Sequence, residues 1–456
     1  MCGITALISK DKSIFQDLYE SLYHLQHRGQ DSFGFSYFDS HQKLLLIKQH
    51  GLVLNHDYTN IQSKIGIGHV RYPTKGRNTI QECQPLFLNG KYRSISLVHN
   101  GQIDSEPLQS YLKKVGVSIE NSITSDSSFL LYLLDYLFNQ HEVLTNDSIT
   151  EIISWIQGTV KGSFNCICLI EDFGLICFKD QNSIRPLILG KKDDDYIISS
   201  ESISITSINY QIVDDIYGHD ILIFDDQNKI HKIQQPQSLT SLKPCIFEWI
   251  YLAREESTLY GVNVYQARVK MGEYLAKKIK NTIDVDLIDL IVPVPDTSKP
   301  VALSISKFLK KPYFEAITKN RYVNRTFIMD TQIKRKKNIK RKLNVIQHLV
   351  QDKNVLIVDD SIVRGNTIKH IVNLLKENKV NKIFIAICCP EIIHENKYGI
   401  DIPTKEELLC FQKTNDEIEK DLEIEKIIFQ DITDLEQSIQ SFNPKIKDFE
   451  KSVFGQ

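Results

Sequence analysis

Two adjacent carboxylates, Asp359 and Asp360, follow the apolar run 355–358 and precede the polar segment 361–367. The apolar run predicts a buried parallel strand, and the apolar spacing after the polar segment predicts a helix with one apolar face. The carboxylates would therefore lie at the carboxyl end of a strand, where open α/β sheets bind ligands. The polar segment offers hydroxyls, the permissive Gly365 and backbone N–H groups, which together suit a phosphate. The carboxylates suit ribose hydroxyls or a hard cation.

A second group of reactive residue types begins at the amino terminus, where Cys2 follows the initiator methionine. If Met1 is removed, Cys2 carries a thiol and a free α-amine, whose unperturbed pKa of about 7.7–8.0 suits a general base near neutrality. One residue would then supply both nucleophile and base. A cysteine at position 2 is uninformative by itself, so its interpretation depends on the motifs that follow.

Four short polar motifs follow Cys2: QHRGQ with Arg28, GHVRYPT with Arg71 and Tyr72, HNG with Asn100 and Gly101, and TSD with Asp126. Taken singly, they have ordinary structural explanations. Arg71 could form a surface ion pair, and Asp126 could be a first-turn helix carboxylate. Asn100 and Gly101 could form a hairpin turn.

The elements around these motifs predict a strand-rich amino-terminal half. Alternating patterns predict strands at 164–170, 174–178, 187–190, 196–200 and 220–224. Residues 124–127 cap a predicted apolar helix over 129–138. A strand-rich half with few helices fits a four-layer αββα sandwich. The polar segment 234–242 predicts a domain boundary near Cys245.

The carboxyl-terminal half predicts a helix over 264–280, a strand over 287–295, the loop 296–299 and a helix from Val301. This strand, loop and helix repeat the plan around Asp359. The alternative for that plan is a receiver-type or generic doubly wound domain. A receiver would need a phosphoacceptor aspartate ending another strand, and residues 405–414, where it would fall, contain none.

The motifs carry a resemblance to known families. In this order and spacing, CGI, QHRGQ, GHVRYPT, HNG and TSD closely resemble the glutaminase domain of N-terminal-nucleophile amidotransferases over most of residues 1–240. VLIVDDSIVRGNT resembles the phosphoribosyl pyrophosphate (PRPP) loop of type I phosphoribosyltransferases. Its residue-by-residue sequence resembles that of the glutamine PRPP amidotransferases. The resemblance implies an αββα glutaminase domain over 1–245. A type I phosphoribosyltransferase domain, a parallel sheet flanked by helices, would follow over 246–456.

The resemblance also implies roles for residues of the first half. Cys2 would attack the glutamine amide carbon, with the resulting oxyanion facing the Asn100 side chain and the Gly101 N–H. The glutamine-binding residues would be Arg28, Arg71, Tyr72 and Asp126. Of these, Arg71 would hold the α-carboxylate and Asp126 the α-ammonium. Arg28 and Tyr72 match positions that shape or gate the site.

In the second half, the resemblance implies a PRPP site. Its residues would be Asp296, Thr297, Ser298, Lys319, Asp359, Asp360, Ser361, Ile362, Val363, Arg364, Gly365, Asn366 and Thr367. Thr297, Asp359 and Asp360 would lie around Mg²⁺, one ion per subunit. The structural alternative for 295–297 is simply a helix start.

Residues 334–342 form a strongly basic run. Such runs are usually solvated faces or nucleic-acid patches. The near-neutral total charge and the adjoining PRPP loops instead favour a mobile flap that closes over a polyanionic substrate.

The resemblance implies that ammonia links the reactions of the two halves. The ammonia would pass from Cys2 to the anomeric carbon of PRPP and give 5-phosphoribosylamine for purine synthesis. It implies a homotetramer inhibited by purine nucleotides. Residues 253–257 read AREES where the family has ARPDS. One branch of the family carries an iron–sulfur cluster; Cys245 matches one ligand position, but no cysteine follows Cys410, so no cluster is expected. The rival function is a catalytically silent PRPP or purine-nucleotide sensor.

The totals agree with a multidomain enzyme. The 456 residues predict two or three domains. Lys and Arg number 55 against 57 Asp and Glu, so net charge gives no case for nucleic acid or membrane. The nine cysteines show no disulfide framework or zinc spacing. No apolar run suits a membrane span and no secretory signal is indicated, so a cytoplasmic protein is expected.

Overall fold

The computed structural model describes residues 2–54, 58, 60–72, 79–120, 123–225, 227–236, 241–320, 343–402 and 404–455. The chain forms two compact units. The first comprises Met1–Cys245, Ser257–Tyr260 and Lys397–Asp401. The second comprises Ile246–Glu256, Gly261–Asn396 and Ile402–Gln456.

The first unit is built from strands and a few helices. The strands are β1 Gly3–Ile8, β2 Ser32–Phe38, β3 Leu44–His50, β4 Ile65–Arg71, β5 Leu86–Asn89, β6 Ser94–Ile103, β7 Gly162–Ile170, β8 Gly174–Lys179, β9 Ile188–Lys192, β10 Asp195–Ser199, β11 Gln211–Asp215, β12 Asp220–Phe224, β13 Ile230–Gln234 and the short β14 Thr258–Leu259. The helices are α1 Phe15–His24, α2 Ser105–Lys114, α3 Asp126–Phe138, α4 Asn146–Thr159 and α5 Ile203–Thr206, with a 3₁₀ turn at Gln26–Arg28.

Strands β1 to β13 form two sheets that pack face to face. The described strands give a seven-stranded sheet, β11-β9-β10-β1-β4-β2-β3, and a six-stranded sheet, β13-β12-β8-β7-β6-β5. Alternation along β6 sends Val98 into the core between the sheets and Ile95 and Leu97 into the core beneath the helices. Helix α1 packs on the first sheet, and α3 packs on the second. The predicted αββα sandwich is confirmed.

The second unit alternates strands with helices. Its strands are β15 Val262–Asn263, β16 Leu290–Pro293, β17 Ile317–Lys319, β18 Leu343–Val345, β19 Asn354–Asp359, β20 Lys382–Ile387 and β21 Lys426–Phe429. Its helices are α6 Val264–Thr282, α7 Lys299–Leu309, α8 Gln347–Val350, α9 Asn366–Glu377, α10 Asn415–Leu422 and α11 Ile432–Gln440. Shorter helical turns lie at Glu248–Leu252, Val285–Leu287, Lys405–Glu407 and Ser452–Phe454.

The centre of this unit is the parallel sheet β16-β19-β20-β21, as predicted. Its apolar core includes Leu356 and Val358 of β19, which pack with Leu275 of α6 and Ile305 of α7. Helices therefore cover a parallel sheet whose strands end beside the connecting loops, where the carboxylates lie.

The strand predicted over 287–295 is much shorter in the structure. The strand expected over 287–295 is β16, Leu290–Pro293, preceded by a helical turn at Val285–Leu287. The Asp284 side chain accepts from the backbone N–H of Asp286 and so caps this turn instead of extending the strand. Among the described residues, no helix has the length and apolar character that crossing a membrane requires.

Candidate functional site

Cys2 lies directly before β1, whose Gly3 pairs with Val70 near the end of β4. The thiol is partly exposed, and its Sγ donates to the backbone carbonyl of Tyr72 over 3.8 Å. The Cys2 carbonyl accepts from Nε of Arg28 at 3.1 Å. The fold thus brings Cys2, Arg28 and Tyr72 together at one end of the first sheet.

Arg28 is buried, and its guanidinium pairs with Glu201, which follows β10. The Glu201 carboxylate also accepts from Nε2 of His27 and from Oγ of Ser257, each at 2.7 Å. These donors offset the lost hydration of a fully buried carboxylate. Sequence reasoning missed Glu201 and Ser257, because a buried carboxylate and a hydroxyl 56 residues further on have no shared local pattern.

Asn100 and Gly101 lie inside β6, so their interpretation as a hairpin turn is wrong. The Asn100 side chain is only 1% exposed, and neither its amide nitrogen nor its oxygen has a hydrogen-bond partner within the described part of the chain. Gly101 has φ 156°, and a Cβ there would lie 2.0 Å from the carbonyl oxygen of Ser163. Only glycine fits at 101, and the adjacent buried amide is free to bind a ligand oxygen.

Arg71 ends β4 and is buried rather than on the surface, so its explanation as a surface ion pair is wrong. Its Nη2 lies 3.8 Å from Oε2 of Glu82. The other oxygen of Glu82 accepts from the N–H and the hydroxyl of Thr124 and from the N–H of Ser125, at 2.9, 2.7 and 3.1 Å. Glu82, which sequence reasoning did not identify, therefore ties Arg71 to the residues that lead into α3.

Asp126 is the first residue of α3, and Ser125 caps that helix. One Asp126 oxygen accepts from the N–H of Ile103 at 2.8 Å, and the other accepts from the N–H of Ser127 at 2.8 Å. These bonds hold the carboxylate at the end of β6, two residues beyond Gly101. The helix-start explanation and a ligand-binding role are compatible for this residue.

Two buried histidines lie in the strands beside these groups. Burial and the Arg71 charge lower the pKa of His69 well below its usual value. Burial likewise lowers the pKa of His99, whose Nδ1 lies 2.7 Å from Oγ of Ser127. Both rings are therefore neutral near pH 7 and add no charge to the buried strands in which they lie.

The segment 397–401 belongs to the same compact unit. The backbone carbonyl of Tyr398 accepts from Oγ of Ser163 at 2.8 Å and from Nη2 of Arg185 at 2.5 Å. The Tyr72 hydroxyl donates to Oδ2 of Asp401 at 3.3 Å. No motif predicted this segment, because it contributes a backbone carbonyl from 235 residues beyond Ser163.

In the second unit, Asp359 and Asp360 lie at the carboxyl end of β19, both nearly buried. Oγ1 of Thr297 donates to Oδ2 of Asp360 at 2.7 Å, and Oγ of Ser361 donates to its Oδ1 at 2.6 Å. Burial and the Asp360 charge raise the pKa of Asp359 well above its ordinary value. The residues predicted to surround a metal are thus adjacent.

The loop after these carboxylates ends at Gly365, which has φ 74° and precedes α9 with Asn366 and Thr367 in its first turn. The Leu409 N–H donates to the Val363 carbonyl at 2.9 Å. Nε of Arg364 donates to Oε2 of Glu407 at 2.8 Å, whereas Ile362 is buried. The Leu409 backbone, which sequence reasoning missed, therefore holds the loop in place, and Glu407 pairs with the Arg364 side chain.

The remaining predicted residues of this site lie around 296–298. Nζ of Lys319 lies 3.3 Å from Oδ2 of Asp296. Ser298 is fully buried, and its hydroxyl donates to the Val294 carbonyl at 2.5 Å, so this side chain braces the loop. The basic run 334–342 lies outside the described residues.

Oxygen ligands at this site suit Mg²⁺. Two adjacent buried carboxylates, Asp359 and Asp360, repel each other, and a hydroxyl from Thr297 is within reach. A hard cation held by a few protein oxygens and by substrate phosphates fits this donor set. Across the ranges described, no group of three or more His, Cys, Asp or Glu side chains could hold a metal ion. None of the nine cysteines, which all lie in the described part of the chain, forms a disulfide, and all except Cys2 are buried.

The fold and these two clusters define a two-domain protein in which an N-terminal-nucleophile amidotransferase fold is joined to a phosphoribosyltransferase fold. A model of the phosphoribosyl transferase domain matches residues 263–422. The amidophosphoribosyltransferase of Pasteurella multocida is 40% identical over 468 residues, which cover all of this chain and 92% of that protein. The amidophosphoribosyltransferase of Haemophilus influenzae is 39% identical over 469 residues, with the same coverage. The chain belongs to the amidophosphoribosyltransferase family.

A solved structure agrees with this membership. Glutamine PRPP amidotransferase from B. subtilis, complexed with ADP and GMP, is 29% identical and superposes with a TM-score of 0.83. The match covers all of this chain and 95% of that one. The family resemblance predicted from the motifs is confirmed.

Proposed function

We propose that this protein transfers the amide nitrogen of glutamine to PRPP. The products are 5-phosphoribosylamine, glutamate and pyrophosphate, and the reaction is the first committed step of purine synthesis. Full-length relatives named amidophosphoribosyltransferase support this activity. The observation that carries the glutaminase half is the buried Asn100 amide, which has no hydrogen-bond partner among the described residues and adjoins Gly101.

In the glutaminase half, Cys2 is the nucleophile. After removal of Met1, its α-amine takes the thiol proton, and Sγ attacks the amide carbon of glutamine. The Asn100 amide and the Gly101 N–H stabilise the oxyanion that forms. The amine then delivers the proton to departing ammonia, and water hydrolyses the thioester to glutamate. Arg71 binds the α-carboxylate of glutamine and Asp126 binds its α-ammonium. Arg28 and Tyr72 shape the site.

In the phosphoribosyltransferase half, the segment 361–367 binds the 5-phosphate of PRPP through its hydroxyls and N–H groups. Asp296 and Ser298 belong to the loop 296–299, which binds pyrophosphate together with Lys319 at the end of β17. Thr297, Asp359 and Asp360 would hold Mg²⁺, which supplies charge stabilisation for the pyrophosphate when bound. The loops 296–299 and 361–367 orient PRPP for attack by ammonia at the anomeric carbon.

The proposed domains are residues 1–245 for the glutaminase and 246–456 for the phosphoribosyltransferase, although Ser257–Tyr260 and Lys397–Asp401 group with the first compact unit. We propose a cytoplasmic homotetramer of the branch without an iron–sulfur cluster. Purine nucleotides are its proposed inhibitors, because the similar B. subtilis enzyme was solved with ADP and GMP.

The test is release of pyrophosphate from PRPP with Mg²⁺, driven by glutamine or by ammonium chloride. Cys2→Ala should abolish the glutamine reaction and retain the ammonia reaction. Cys245→Ala, which removes another cysteine that forms no disulfide, is the matched control and should retain both. Wild-type protein that binds PRPP but turns over neither substrate would support the sensor instead.

A further inference from the structure

Glu201 is a fully buried carboxylate with a concentrated set of donors. The Arg28 guanidinium, Nε2 of His27 and Oγ of Ser257 all bond to it. Two of these donors, His27 and Arg28, come from one helical turn, Gln26–Arg28. A buried carboxylate with this many partners fixes the orientation of each partner, because breaking any bond would leave a charge unsatisfied.

Arg28 links Glu201 to Cys2, because its guanidinium bonds to both residues. The guanidinium is planar, and its N–H groups point in fixed directions. Its Nη1 faces Glu201, while its Nε donates to the Cys2 carbonyl at 3.1 Å. Rotation of the guanidinium to follow a displaced carboxylate would therefore break the bond to Cys2.

Cys2 needs such a restraint because of its place in the fold. It lies just ahead of β1 and outside the strand pairing, which begins at Gly3. A residue outside the strand pairing is poorly ordered unless other groups hold it. The bonds to Arg28 and to the Tyr72 carbonyl hold the two sides of the residue, its carbonyl and its thiol.

We infer that Glu201 is a positioning residue for the nucleophile, acting through Arg28 on the backbone of Cys2. The inference rests on the proposed role of Cys2. Glu201 does not touch glutamine; it sets the direction from which Sγ approaches the amide carbon. Oγ of Ser257 donates to the second carboxylate oxygen and so helps to hold the Glu201 side chain in place.

Glu201→Gln tests this inference, since it keeps the side-chain shape and removes the charge that orients Arg28. Glutaminase kcat should fall on the order of a hundredfold, as expected for a misplaced reacting group. The KM for glutamine should change little, and ammonia-dependent activity should stay at the wild-type level. Alkylation of Cys2 by 6-diazo-5-oxo-norleucine should slow in parallel with kcat.

Glu171→Gln is the matched control. Glu171 is also a buried carboxylate of this unit, and it accepts from the Leu44 N–H at 3.0 Å and pairs with Lys43. The same chemical change there should leave glutaminase kcat unchanged. A wild-type kcat in Glu201→Gln would overturn the inference, and so would a loss of ammonia-dependent activity as large as the glutaminase loss.

Arg28→Lys provides a second test of the same chain of contacts. Lysine keeps the charge pair with Glu201, but its single ammonium lacks the fork that reaches the Cys2 carbonyl. Its kcat should fall as in Glu201→Gln, and the two changes combined should be far from additive. Additive effects would contradict action through Arg28. Glutaminase activity in Cys2→Ala would instead refute the proposed nucleophile, whatever the result at Glu201.

Discussion

Gly399 lies directly against Gly101: a Cβ on Gly399 would be 3.2 Å from both the carbonyl carbon and the carbonyl oxygen of Gly101. The contact joins a segment from late in the sequence to the strand that presents the proposed oxyanion donor. Hydrogen bonds from Ser163 and Arg185 to the Tyr398 carbonyl hold that segment in place. The position of Gly101 thus depends on a neighbour almost 300 residues away in the sequence.

Gly399→Ala should lower glutamine-dependent turnover by at least about tenfold, because the methyl group pushes the Gly101 peptide away from the oxyanion. Ammonia-dependent turnover should not change. Both rates are measured as pyrophosphate release.

Gly116→Ala is the control for backbone strain. Gly116 has φ 81°, and a Cβ there meets nothing within 4 Å, whereas Gly399 has φ 100°. Each alanine costs about 1–2 kcal/mol of strain. Equal loss of glutaminase activity in both variants would show that strain, and not the contact with Gly101, is responsible.

Glu82→Gln should raise the KM for glutamine several-fold and change kcat less. The substitution keeps one oxygen to accept from Thr124 and Ser125 but replaces the oxygen facing Arg71 by an amide NH2, which is a donor. Steady-state glutaminase kinetics separate the two constants. An unchanged KM would contradict a binding role for Arg71, since Glu82 holds that side chain.

Binding of PRPP with Mg²⁺ should weaken as pH falls. The weakening should begin at a higher pH than the one at which an exposed aspartate takes up its proton. The pKa of Asp359 is raised by burial and by Asp360, so this carboxyl holds a proton at a pH where an exposed one would not. The cation needs the carboxylate, so binding releases that proton.

Isothermal titration in buffers of different ionisation enthalpy measures the proton release. Asp359→Asn should abolish it together with most of the affinity. Binding that is independent of pH and releases no proton would refute the coupling.

Glu407→Gln should lower the KM for PRPP, whereas Arg364→Gln should raise it. The carboxylate of Glu407 now pairs with Arg364, and both side chains are partly exposed. A pair of this kind is worth up to about 1 kcal/mol, so the gain should be no more than about fivefold. A higher KM in Glu407→Gln would mean that the pair supports the binding loop and does not compete with phosphate.

The sequence predicts the local parts of this site and misses those built from distant residues. Asp359 and Asp360 follow an apolar run, so strand and loop could be placed from pattern alone. The contact of Thr297 with Asp360 joins residues 63 positions apart, and only the family resemblance indicated it.

There is a physical reason why sequence analysis did not predict Glu82, Glu201 and the Tyr398 carbonyl. A glutamate becomes a buried organising group only when strands from elsewhere surround it, and a backbone carbonyl has no residue type to recognise. The ordinary explanations of Arg71 and of Asn100 with Gly101 failed likewise, because burial and strand register come from the assembled sheets.

The grouping of Ser257–Tyr260 and Lys397–Asp401 with the first unit has a consequence for dissecting the protein. A fragment cut after Cys245 would lack both the hydroxyl that bonds Glu201 and the glycine behind Gly101. A chimera that joins the first 245 residues of one relative to the remainder of another would pair Ser257–Tyr260 and Lys397–Asp401 with strands from a different protein. A working glutaminase therefore depends on sequence from both sides of that cut.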